Sequence, residues 1–185
     1  EPWQGINALE QGCGLLADLR EELMREEHPV LGRSTLQITM AEGGIAPNMT
    51  PDRAQFLADI RIVPPLNEKE VLNRLKCLIE KRCEVYNGGL SFAPEISNYR
   101  MPVETGPKNQ WLHRLKGFIG DDAGETGINY FTDASIFLTA WPDSPALLFG
   151  PGEPQMCHKP NEYVEISKYF EAIRVMEKFC WYIAK

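Results

Sequence analysis

The sequence predicts an α+β domain of the β-α-β-β-α-β kind that lacks its first strand, followed by a smaller α/β segment. Three observations carry this. Two stretches alternate apolar and polar residues with period two, at residues 35–40 and 55–62, and they are flanked by stretches of helical period on either side. A turn signal, Asn87-Gly88-Gly89, then leads into a last apolar run. Beyond Met101-Pro102 the character changes to helical runs around one short apolar strand, which divides the chain into residues 1–102 and 103–185.

From Ile6, the residues Leu9, Cys13, Leu16, Leu19 and Leu23 recur at steps of three and four and predict a helix to about Glu27, ended by His28-Pro29. Leu36, Ile38 and Met40 alternate with Thr35, Gln37 and Thr39, the pattern of a strand with one wet face. Gly43-Gly44 and Pro47 break it. Phe56, Ala58, Ile60 and Ile62 alternate with Gln55, Asp59 and Arg61 until Pro64-Pro65, and the two strands should pair antiparallel. Asn67 with Glu70 is a capping-box start, and Val71, Leu75, Leu78 and Ile79 give the following helix its apolar face. A last strand is expected near Leu90 to Glu95.

In the second segment, Trp111, Leu112, Leu115, Phe118 and Ile119 predict a helix, and Gly120 to Gly127 a loop rich in glycine and acid. Asp133 is placed to cap a short helix through Ile136 and Phe137, closed by Trp141-Pro142. Ala146 to Phe149 reads as a buried strand that delivers the following loop to the edge of a sheet. The terminal helix, from about Ser167, carries Phe170, Ile173, Met176, Cys180 and Ile183 on one stripe. One strand and three helices are too little to cover both faces of a parallel sheet.

At 43% hydrophobic and 24% charged residues, the chain is globular. A net charge of -7 and the absence of a basic patch argue against a nucleic-acid partner. No run reaches the roughly 18 apolar residues of a membrane span, and no signal-peptide pattern opens the chain. Five cysteines without CxxC spacing favour reduced thiols in the cytoplasm.

The loop after Phe149 holds the candidate chemistry. Gly150-Pro151-Gly152 forces a sharp exit, and His158, Asn161 and Glu162 follow before the terminal helix. A loop histidine serves as a metal ligand or as an ordinary hydrogen-bonding group. Cys157 stands beside it as a second potential ligand, and Glu162 either supports the loop or starts the helix. Arg61 lies on the polar face of its strand, where its fork matches a carboxylate, or else it pairs with Asp59 or Asp52. Asn48 beside Pro47 reads as a turn former.

Phe149-Gly150-Pro151-Gly152 followed by His158-Lys159-Pro160-Asn161-Glu162-Tyr163-Val164 resembles the C-terminal signature of the M20 metallopeptidase family, which includes acetylornithine deacetylase and succinyl-diaminopimelate desuccinylase. Gly43-Gly44-Ile45-Ala46-Pro47-Asn48-Met49-Thr50-Pro51 running into Asp59-Ile60-Arg61, and Phe131-Thr132-Asp133-Ala134, are similar to two further family stretches in the same order. The resemblance implies that residues 1–102 form a ferredoxin-like lid, or dimerisation, domain whose first strand lies just before residue 1. It implies that residues 103–185 are the C-terminal part of a zinc-hydrolase α/β catalytic domain.

It further implies that His158 is a zinc ligand and that Arg61, Asn48, Thr132 and Asp133 contact substrate, Asn48 often from the partner subunit. In the family, a metal-bridging hydroxide attacks the amide carbonyl of an N-acyl amino acid or peptide. Two zinc ions are expected in the complete enzyme, with cobalt as an alternative. The general-base Glu and the other ligands belong to an N-terminal catalytic half upstream of residue 1, so no catalytic residue is assigned within these residues and they are expected to be inactive alone. A homodimer through residues 5–100 is implied as well. The alternatives are a dipeptidase or carboxypeptidase of the same family, or a non-catalytic dimerisation or binding module.

Overall fold

The structure, a computed structural model, describes residues 1–120, 124, 126–128, 130–157 and 159–184. It divides into two compact units, Glu1–Pro102 and Val103–Lys185.

In the first unit, helix α1 (Ala8–Leu23) begins at Asn7, whose side-chain oxygen accepts from the backbone N–H groups of Leu9 and Glu10 at 3.1 and 3.3 Å. Its buried face is Gly12, Leu15, Leu19 and Leu23, with Cys13 exposed. The helix is therefore turned slightly from the expected stripe, and it ends before Glu27. The chain instead forms a small hairpin, β1 (Glu27–His28) with β2 (Gly32–Arg33). The His28 ring nitrogen Nδ1 accepts from the N–H groups of Val30 and Leu31 at 3.2 and 3.0 Å, and Gly32 supplies the positive φ of 75° that closes the turn.

Strands β3 (Thr35–Gly43) and β4 (Ala54–Arg61) pair antiparallel as expected. A bulge between Ile38 and Met40 breaks the predicted alternation. Before it, Leu36 and Ile38 face inward. After it, the faces exchange, so Met40 stands opposite Leu57 on the exposed side, at 56% and 49% exposure, and Ala41 lies opposite Phe56.

Helix α2 (Glu68–Val85) starts with the predicted capping box between Asn67 and Glu70. Leu19, Leu23, Leu36 and Leu66 form the core, with Ile38, Ala58, Ile60, Val71, Leu75 and Leu78 packed around it. Arg74 and Arg82 tie α2 to α1: Arg74 donates to the Glu22 carbonyl at 2.8 Å and pairs with Glu26, and Arg82 pairs with Asp18 and donates to Gln11 Oε1 at 3.1 Å. Residues 90–95 join no ladder among the described residues. A strand needs a neighbour to hydrogen-bond. In the split topology the last strand pairs with the first, and no strand precedes α1 among the described residues.

Among the described residues, the second unit contains three α-helices, α3 (Gln110–Ile119), α4 (Ala134–Ala140) and α5 (Ile166–Ile183). Asn109 caps α3 by accepting from Trp111 N at 2.9 Å and Leu112 N at 3.3 Å. Asp133 precedes α4, but its side chain makes no capping bond because its backbone is already helical, with φ -63° and ψ -13°. Trp111 meets Phe179 and Tyr182 edge-on at 6.3 and 6.1 Å, and Arg114 lies 4.2 Å over the Tyr182 ring.

Ala172 and Val175 are thus the buried positions of α5, while the predicted stripe of Phe170, Ile173, Met176 and Ile183 is exposed within this unit. α5 is apolar on more than one side, and α3 takes the side periodicity did not single out. The expected strand Ala146 to Phe149 joins no ladder among the described residues. In place of a neighbouring strand, Thr105 Oγ1 donates to the Ala146 carbonyl at 2.7 Å and accepts from its N–H at 3.1 Å. Half of the acid-rich loop, residues 121–123 and 125, lies outside the described residues.

Candidate functional site

The sequence-predicted site residues fall in both units. In the first, Arg61 ends β4 on the exposed face demanded by period two, since Ile60 turns inward toward Leu36. Its Nε and Nη2 both donate to Asp59 Oδ2 at 3.1 Å. Asn48 sits at the other end of the hairpin, in the turn closed by Met49 N donating to the Ala46 carbonyl at 3.2 Å. At about 3.3 Å per residue, the length of β4 alone separates the two by roughly 20 Å or more. One small substrate cannot touch Asn48 and Arg61 of the same hairpin.

In the second unit, Thr132 and Asp133 lead into α4. The Thr132 carbonyl accepts from Ser135 Oγ at 3.2 Å, and the Asp133 carbonyl accepts from Ile136 and Phe137 N–H at 2.9 and 3.0 Å. The Asp133 side chain is exposed and takes no part in the cap.

The loop after Gly152 makes one 3-10 turn, Pro154–Met156, and is held from two sides. Lys168 of α5 pairs with Glu153, and this hydrogen bond and the charge of Glu153 raise the Lys168 pKa above its usual value. Cys157 Sγ and the Tyr130 hydroxyl share a hydrogen bond at 3.8 Å, and this bond, followed by slight desolvation and by the electrostatic influence of Cys157 and Glu162, raises the Tyr130 pKa. Glu162 N donates to the Lys159 carbonyl at 3.2 Å, so Glu162 belongs to the loop's own turn and α5 starts four residues later. Asn161 holds a left-handed φ of 61°, which Asn tolerates better than most residues. Gly152, Glu153, Cys157, Glu162, Tyr163 and Tyr169 line an open depression on this loop.

His158 lies outside the described residues. Among the described residues, no three His, Cys, Asp or Glu side chains gather into a metal site, so these residues do not by themselves fit a complete metal centre. No described helix is long and apolar enough to cross a membrane. The tethers of the loop, Tyr130 and Lys168, were not foreseen. Lys168 is 15 residues from Glu153 and Tyr130 is 27 from Cys157, and no periodicity connects positions so separated.

Residues 1–87 match the family described as the M20 peptidase dimerisation domain. An acetylornithine deacetylase of Shigella sonnei (strain Ss046) is 27% identical over 196 aligned residues, covering 98% of this chain and 49% of that protein. The chain therefore spans about half the length of the curated relative it matches. The crystal structure of an M20 family metallo-carboxypeptidase from Sulfolobus solfataricus superposes with a TM-score of 0.53 at 20% identity, over 89% of this chain and 41% of that one, a likeness of fold.

Proposed function

We infer that the chain belongs to the M20 metallopeptidase family, a reading supported by the match of residues 1–87 to its dimerisation domain and by the similarity to an acetylornithine deacetylase, and that the whole protein is a metal-dependent amidohydrolase cleaving the amide bond of an N-acyl amino acid. The observation that carries this reading is the similarity to an acetylornithine deacetylase along nearly the whole chain. In this reading, residues 1–102 are the lid and residues 103–185 belong to the catalytic domain. His158 is one zinc ligand of a two-zinc centre whose remaining ligands and general base come from outside these residues. Arg61 anchors a substrate carboxylate, and Thr132 and Asp133 contact substrate. Asn48 reaches the site of a second subunit, a role supported by its distance from Arg61 along the hairpin. The whole protein is a cytoplasmic homodimer through the lid; five unpaired cysteines support the compartment, and the dimerisation-domain match supports the assembly.

The test is a zinc and activity assay of the whole protein with N-acetyl-L-ornithine, N-succinyl-L,L-diaminopimelate and dipeptides, alongside His158→Ala. Release of the acyl group, with loss of bound zinc in the variant, is expected. Unchanged zinc content in His158→Ala would remove that residue from the ligand set. Turnover of dipeptides alone would turn the assignment to the dipeptidase or carboxypeptidase alternative within the family. Sedimentation at tens of micromolar is expected to show a dimer, and a monomer there would overturn the lid assembly.

A further inference from the structure

We propose that Asp59 is a specificity-determining residue: it competes with substrate for the Arg61 fork and so biases the anchor toward ligands that carry a cationic group beside their carboxylate. The inference rests on the reading of Arg61 as a carboxylate anchor. Asp59 and Arg61 stand two residues apart on one face of β4, both about half exposed. Arg61 Nε and Nη2 converge on a single Asp59 oxygen. That side of the guanidinium is a two-donor edge suited to a carboxylate, and Asp59 already occupies it. Across the ladder, the neighbours of this pair are Gln37 opposite Asp59 and Thr35 opposite Arg61, both uncharged.

This end of the sheet face therefore presents one positive and one negative charge bonded to each other. A simple anion must displace the Asp59 oxygen and leave that carboxylate without its cation. A second carboxylate on the ligand adds like-charge repulsion against Asp59, a penalty aimed at the wrong substrate. A ligand bearing both a carboxylate and an ammonium group exchanges the internal pair for two intermolecular ones. No charge is then left unmatched.

The experiment uses the whole protein with its metal, as wild type, Asp59→Asn, Asp59→Glu and Arg61→Ala. Affinities for N-acetyl-L-ornithine and N-acetyl-L-glutamate are measured as Michaelis or inhibition constants. Asp59→Asn should shift their ratio by about tenfold toward the acidic compound, the scale of one charge-assisted hydrogen bond. Asp59→Glu should keep the wild-type preference. Should Arg61→Ala weaken binding while Asp59→Asn leaves the ratio within about twofold, the role of Asp59 is overturned and the anchor stands. If Arg61→Ala changes neither affinity, the anchor itself is wrong, and the inference goes with it.

Discussion

Phe56 of β4 lies against Gly12 of α1 so closely that a Cβ on Gly12 would stand 2.1 Å from the Phe56 ring. Gly12 is buried in the middle of a helix, where glycine costs about 1 kcal/mol relative to alanine. That cost secures the approach of helix and sheet. Gly12→Ala would gain the helix propensity but force the ring to withdraw, and overpacking of this kind costs about 1–3 kcal/mol. A net loss of stability is expected, read as a lower denaturant midpoint. Adding Phe56→Leu should recover part of it. A midpoint raised by Gly12→Ala alone would show that the ring moves freely and that the contact does not set the helix position.

The bulge after Ile38 makes Leu36 and Met40 unequal although they alternate in the sequence. Leu36 is 4% exposed and sits in the core, and Met40 is 56% exposed beside Leu57. Leu36→Ala should cost about 2–5 kcal/mol, and Met40→Gln should stay within about 0.5 kcal/mol, both by denaturant unfolding. Equal costs would mean that the strand keeps simple alternation and the bulge is absent.

The Glu153 and Lys168 pair holds the loop that carries Cys157 against α5. Since the pairing raises the Lys168 pKa, its contribution is fully present below the unfolded lysine value of about 10.4 and is lost as pH rises through the higher folded value. Lys168→Met should therefore lower Tm by no more than a few degrees, as befits an exposed pair, and by the same amount at about pH 7 and about pH 9. The difference should shrink only in more alkaline solution. A difference that vanished between those two pH values would remove Lys168 from the tether.

Several features were readable because the interactions behind them are short in sequence. The capping box at Asn67 needs only Glu70, three residues on, and the exposure of Arg61 follows from the inward turn of Ile60 beside it. Its pairing with Asp59 was one of two readings available from the residues, and the pair forms. Asp133 shows the limit of such reasoning. Its type and position suit a cap, but its helical backbone does not direct the side chain to the free N–H groups. The short hairpin around His28 was hidden for a similar reason, because a ring nitrogen accepting two backbone bonds has no signature in hydrophobic period.

By itself the sequence determined the antiparallel pairing of β3 with β4, the start of α2, and the motif resemblance that points to the family. Periodicity and caps act over a few residues, where chemistry and spacing leave few alternatives. Tertiary structure alone decided which side of α5 is buried, the exchange of faces at the bulge, the remoteness of Asn48 from Arg61 within one hairpin, and the absence of a ladder at residues 146–149 among the described residues. Each of these depends on a neighbour. An amphipathic helix with two apolar sides buries whichever one meets a partner, and an extended segment becomes a strand only when another backbone supplies its hydrogen bonds.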